Sequence, residues 1–386
     1  MIRQLIWLAV ALPSYAVADI SVATLMNEGN LARLQGDMES ANQIRDQIRR
    51  INPEDPASYA FNLNTIVTEL SWEESQTRFD ESLLQDAEKL ISLCENKQPS
   101  LAEINDPNFY CGHAHFSMSF YHGIRGNLIR AGRHGTTAIE YMEQALTDNP
   151  DLIRAKMYLG IAYYYADNLP SFIKLFSRVL WFVPSGNSSK SLPYLREVMS
   201  SNDEFSDVAR YIYATLLING TQSELAKALT EIEILLTRYP ENVRFRLRYV
   251  SIIQGDGRYQ DTLNNVNEFL ASDSAQSLTM INSNLLNIWL ARANLGLNRI
   301  EAANKVQSSI HFDPDNTTIP AWGLAWFELT NGQLADLGGD HMRARQSYGK
   351  ILQLAQQAFV SPNLVSLANR YIESPYREAM LAPAPE

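Results

Sequence analysis

No stretch of useful length alternates apolar and polar residues with the period of two that marks a half-buried strand. The pattern instead predicts one helix after another, with Gly, Pro, Ser and Asn between them. Residues 57–70, 81–95, 192–199, 322–329 and 341–355 each read as a helix. Another begins at Ser361, an N-cap residue type, with Pro362 in its first turn. Charges and Asn or Gln interrupt every apolar stretch after the N-terminus, so none reaches the roughly 20 residues that span a bilayer. Residues 1–18 differ: Arg3, an apolar run from Leu5 to Leu12, Pro13, then Ala16-Val17-Ala18. A positive start, a short apolar stretch and small residues in A-x-A order predict a cleavable secretory signal peptide. The competing reading is a buried N-terminal helix. Cleavage predicts a mature chain from near Asp19 and a periplasmic location, with secretion as the alternative.

A second period lies over the helical one. Pro150 and Pro184 stand 34 residues apart, as do Gly126 and Gly160. On this ruler 153–186 places Leu159-Gly160 and Tyr163 in a first helix, Phe176 in a second, and Pro184 at the close. The unit 119–152 has Gly126, Ala138, Ala145 and Pro150 in matching places, and 22–55 has Gly29, Gly36, Ala41 and Pro53. Weaker copies follow at 209–242, 243–276 and 283–316, phased by Ala228 and Pro240, by Gly257 and Tyr259, and by Ala302 and Pro314. Gly and Ala fall where two helices would cross closely, and Pro ends the second helix in every unit except 243–276. In length and marks these units resemble the tetratricopeptide repeat. The run from His115 to Leu152, the run from Tyr158 to Asn187, and a late stretch from Gly332 to Leu352 are also similar to a group of exported bacterial repeat proteins. Where that group tends to read Gly-Asp-Arg after the proline, this chain has Gly186-Asn187-Ser188.

The resemblance implies an all-α fold, a right-handed superhelical solenoid of helix pairs with a C-terminal capping helix. The expected organisation is a signal peptide (1–18), an N-terminal unit (19–55), an enlarged hairpin (56–118) and two clear units (119–186). An irregular connection (187–208), three further units (209–316), a last helix pair with its cap (317–376) and a loose tail (377–386) complete it.

Net charge is −11 over 386 residues, which argues against nucleic acid as partner because phosphate binding needs clustered Lys and Arg. The two cysteines, Cys94 and Cys111, are expected at the end of one helix and the start of the next, close enough for a disulfide; two separate small core residues is the other reading. His113, His115, His122 and His134 crowd one region. His113 and His115 point to nearly opposite sides of a helix, and His115 and His122 lie about 10 Å apart along it. Polar residues between helices are therefore expected, and no metal site. The chain has no G-x-S-x-G, no H-E-x-x-H and no Gly-rich phosphate loop with Lys, so neither catalysis nor a cofactor is expected. Gly255-Asp256-Gly257 falls in a turn between helices, where glycine serves the backbone.

The resemblance also implies a concave face, lined by the first helix of each unit. It carries Phe120, Asn127 and Arg130 in 119–152, Arg154, Met157 and Tyr164 in 153–186, Arg210 and Tyr213 in 209–242, and Arg244 in 243–276. Arginine thus recurs at the second position of three units, where a helix N-terminus disfavours it by a few tenths of a kcal/mol. Arg and Tyr dominate binding hot spots, so an extended peptide or acidic protein segment is the expected guest. Solvated arginines at unit junctions are the plain alternative. The family's carboxylate clamp is not carried over, since Gly123 and Tyr158 stand where Lys and Asn are needed and only Asn127 fits. Two other functions stay open: a small-molecule site lined by Tyr163, Tyr164 and Trp181, and an enzyme subunit with its site in 56–118.

Overall fold

The computed structural model describes residues 21–377, apart from 96–105, 168–186, 313–319 and positions 52, 73, 75, 219, 358 and 359. The signal-like segment, the tail after 377 and the second half of 153–186, with Phe176, Trp181 and Pro184, lie outside the described residues. Among the described residues the fold is all-helical, with 17 α-helices and no strand.

In chain order these are α1 (Val22–Gln35), α2 (Met38–Ile51), α3 (Pro56–Leu70), α4 (Asp80–Glu95), α5 (Pro107–Ile124) and α6 (Leu128–Asp148). Then come α7 (Ile153–Asp167), α8 (Ser188–Met199), α9 (Ser206–Leu217), α10 (Gln222–Arg238), α11 (Val243–Gly255) and α12 (Tyr259–Leu270). The last are α13 (Met280–Gly296), α14 (Ile300–Ser309), α15 (Ala321–Leu337), α16 (His341–Gln357) and α17 (Pro362–Glu373). Side chains mark many of the starts. Ser21 accepts from the Thr24 N–H, Thr221 and Glu224 form a reciprocal capping box, and Asp55 precedes Pro56. Ser361 stands at the N-cap of α17 before Pro362 but makes no side-chain capping bond.

Consecutive helices pack against each other. Odd-numbered helices also touch one another, α3 with α5, α5 with α7, α11 with α13 and α13 with α15. They form a common layer, each flanked by its even-numbered neighbour. The apolar core divides into clusters that mostly follow the chain, with Leu34 joining the cluster of residues 109–252 and Trp72 the cluster of residues 243–310; units that bury their faces on neighbours give the first kind of order. Two helix crossings depend on glycine. A Cβ on Gly160 would sit 2.9 Å from Leu195 Cγ and 3.1 Å from the Ser191 carbonyl oxygen, and one on Gly332 would sit 2.3 Å from the Tyr348 ring. Gly160 thus meets α8, whose residues 192–199 the sequence reads as a short helix within the connection 187–208, and that helix packs along α7.

Contacts between distant parts of the chain close the odd-numbered layer. Asn242, 1% exposed, caps α11 by accepting from the N–H groups of Arg244 and Phe245, and its amide donates to the Leu34 carbonyl at 2.7 Å. Arg244 reaches Glu69 at 3.0 Å, and Trp72 meets Trp322 edge to face with ring centroids 5.5 Å apart. At the other end Asp336 accepts from His341, from the Tyr348 hydroxyl and from the Tyr376 N–H, which fastens the chain after α17 onto α15.

Cys94 at the end of α4 and Cys111 in α5 are bonded, with α-carbons 5.9 Å apart, a usual disulfide separation. The pair is compatible with an oxidising compartment. Replacing both cysteines by serine should cost about 3 kcal/mol by loop-closure entropy, read as a lower unfolding midpoint in denaturant; an unchanged midpoint would show the bond to be thermodynamically idle. Asn242→Ala should cost roughly 1–3 kcal/mol, because it removes the donor to the Leu34 carbonyl and the acceptor of the Arg244 and Phe245 N–H groups. Hydrogen exchange at the start of α11 should accelerate with it.

Candidate binding face

The arginines expected to line an open groove do not behave alike. Arg210 forms ion pairs with Asp207 and Glu231, and Asp207 is held further by Arg238 at 2.5 Å and by the Tyr239 hydroxyl at 2.8 Å. Arg244 is engaged by Glu69, by the Thr68 carbonyl at 3.2 Å and by the Trp72 ring beneath it at 5.3 Å. Both arginines therefore tie helices together. Met157 and Tyr213, 3% and 6% exposed, belong to the apolar core, because their helices turn those positions toward neighbouring helices. Tyr164 donates its hydroxyl to the Leu216 carbonyl at 3.0 Å and so joins α7 to α9. Phe120 packs on the cluster of α3, α4 and α5, whereas Asn127 and Arg130 are exposed around the start of α6.

Arg154 is different. It is half-buried on α7, 5.5 Å above the Phe109 ring, and forms no ion pair with a described carboxylate. Its arrangement recurs at residues that the repeat positions did not single out. Arg33 lies 5.5 Å from the Phe61 ring, Arg248 lies 5.8 Å from Tyr211, and Arg292 lies 4.0 Å from Trp326. Every guanidinium and every ring of this series sits on an odd-numbered helix. Cation–π contact gives each arginine a partial partner worth about 0.5–2 kcal/mol while leaving its formal charge uncompensated.

Around Arg33 this layer carries a buried polar node. Arg33 donates to Asn30, Asn30 donates to Glu204, and the Tyr158 hydroxyl donates to Asn64 at 2.6 Å. His113, 1% exposed, lies 3.0 Å from the same Asn64 oxygen through Nε2, which makes it the protonated nitrogen. Burial, and then the charge of Arg33, pushes the His113 pKa down to about 3, so the ring is neutral. Burial also lowers Arg33 to about 10.

His115, His122 and His134 meet across α5 and α6. His115 and His134 approach Nδ1 to Nδ1 at 2.9 Å, and the ring of His122 stacks on His134 with centroids 5.6 Å apart. Helical spacing keeps His115 and His122 apart, yet His134, from the next helix, comes between them. One ring of the close pair donates and the other accepts, so the pair cannot be doubly protonated in this geometry. Burial, then the neighbouring His134, lowers His115 to about 4, and burial lowers His122 and His134 as well. Among the described residues no group of three or more His, Cys, Asp or Glu is arranged to hold a metal ion.

No family model matches the sequence, and no curated protein matches it. Among the described residues no helix is long and apolar enough to cross a membrane.

The neutral histidines set a pH dependence. Their folded pKa values lie below the unfolded value of about 6.5, so the unfolded chain binds more protons as pH falls, and stability is lost from about pH 6.5 down through about 4 for His115 and about 3 for His113. Thermal unfolding should show a steep fall of the midpoint across that window. His115→Phe should make it shallower; a midpoint independent of pH there would contradict the burial of both rings.

Proposed function

We propose that this chain is an exported tetratricopeptide-like solenoid, a right-handed superhelix capped by α17, that serves as an interaction scaffold in the cell envelope. Its partner is an extended acidic segment of another protein, received along the layer of odd-numbered helices. The observation that carries this reading is the series of arginines resting on aromatic rings, with Arg154 and Arg248 in no ion pair with a described carboxylate. A carboxylate from outside would complete each of these sites, and Arg with aromatic neighbours is the composition of a binding hot spot. The setting sharpens it. In a chain of net charge −11, unpaired cations gathered on one layer focus the local field against the overall sign.

Several features support the accompanying parts of the reading. Glycines at helix crossings, core clusters in succession and packing of each helix on its chain neighbour are what stacked helix pairs require. A bonded cysteine pair agrees with the signal-like order of residues 1–18 and with a periplasmic address.

Fluorescence anisotropy with labelled peptides provides the test. The full chain should prefer Asp/Glu-rich peptides to Lys-rich ones of equal length, and binding should weaken with salt. The double variant Arg154→Ala/Arg248→Ala should lose about tenfold or more in affinity, while Arg130→Ala, at an exposed position at the start of α6, should change little. Equal binding of acidic and basic peptides, or an unaffected double variant, would remove the basis for this function.

A further inference from the structure

Arg292 is the most closely stacked of the arginines in the odd-numbered layer that form no ion pair with a described carboxylate. Its NH1 donates to Thr330 Oγ1 at 3.3 Å and to Gln333 Oε1 at 3.5 Å, both long contacts to neutral groups. The Thr330 hydroxyl is itself spent on the Trp326 carbonyl at 2.8 Å. The guanidinium lies 4.0 Å over the Trp326 ring, the closest of these stacked arginines, and its Nε is buried with no acceptor. Arg33, by comparison, has Glu204 one hydrogen-bonded residue away through Asn30. The groups acting electrostatically on Arg292 are three phenols, Tyr259, Tyr376 and Tyr371, and desolvation outweighs them, lowering the guanidinium to about 10. A desolvated cation without an anion is among the costliest things a fold can hold.

A second buried donor stands beside it. Trp289 lies one helical turn earlier on α13, so the two side chains share a face. It is 4% exposed, its ring is 5.4 Å from that of Trp326, and its indole N–H has no acceptor. Arg Nε–H and Trp Nε1–H can only donate. Two donor-only groups without acceptors on one helix face, next to an uncompensated positive charge, describe the protein's half of an anion contact. The Nε–NH2 edge of a guanidinium presents two parallel N–H bonds, the fork that matches two oxygens of one oxyanion.

We propose that Arg292, with the indole N–H of Trp289 and the ring of Trp326, forms a receptor site for a single oxyanion group, a carboxylate or a phosphate. Trp326 also packs against the apolar cluster that holds Tyr371 and Tyr376, from α17 and the segment after it, so the site adjoins the C-terminal cap. Anion binding there would therefore also stabilise the closing end of the stack. This site is independent of the acidic-segment reading, since a free small anion suffices to fill it.

The test uses the full chain titrated with acetate and, separately, with phosphate, at ionic strength held constant with chloride. Tryptophan emission and the thermal midpoint are the two readouts. The site predicts a saturable emission change and a raised midpoint with at least one anion, and which anion acts distinguishes a carboxylate source from a phosphate one. Arg292→Gln should weaken that response by about tenfold or more, the worth of a charge-assisted contact. Trp289→Phe, which keeps an aromatic ring but loses the donor and the second ring of the indole, should weaken the response of the thermal midpoint, the readout that does not depend on the removed indole, and carries the test if Arg292→Gln does not fold. Failure of both anions to give a saturable response, or a Trp289→Phe response equal to that of the unaltered chain, would overturn the proposal.

Discussion

The hydrogen bond from Asn242 to the Leu34 carbonyl joins residues 208 positions apart, and much of the layered arrangement rests on such contacts. Packing of each helix on its chain neighbour fixes only local order. What turns a string of hairpins into a body with a shared layer is that α1 and α3 also find partners on α11. Asn242 can do this because one amide serves two purposes: its oxygen caps its own helix and its nitrogen reaches across. Arg244, two residues on, repeats the act toward Glu69 and Trp72. Trp72 in turn leads on to Trp322 near the start of α15.

This explains which parts of the chain were legible in sequence. Helix positions were, because periodicity and punctuation are local: 57–70 and 81–95 are found at Pro56–Leu70 and Asp80–Glu95. The cysteine bond was legible for the same reason, since the two residues stand only 17 positions apart. Glycine at position 160 announced a close crossing, but not that Ser191 and Leu195 of α8 would occupy the other side. The arginines were legible as a recurrence and misjudged as a set. Glu69 and Glu231, which neutralise Arg244 and Arg210, come from helices that no repeat position could nominate. His134 was overlooked as a bridge between His115 and His122 on similar grounds, being on the next helix.

The charge arrangement has its own logic. Within an acidic chain, several arginines of the odd-numbered helices rest on aromatic rings and form no ion pair with a described carboxylate. Aromatic faces accept a guanidinium without demanding a fixed salt-bridge geometry, and they keep the charge available. Where carboxylates are used instead, as at Asp207 with Arg210 and Arg238, the result is a fastening between adjacent helices. The same residue type thus ties helices together in one part of the layer and rests on aromatic rings without a described carboxylate in another.

The carboxylate of Asp336, with a side chain only 2% exposed, takes one of its donors from the backbone of Tyr376, forty residues downstream. A recombinant version trimmed before that tyrosine would keep every helix and still leave a buried acid short of a donor. Boundary choice at this end is thus a matter of one peptide N–H: expression fragments that stop at the last residue of α17 should be softer at the C-terminal hairpin than ones reaching a few residues further.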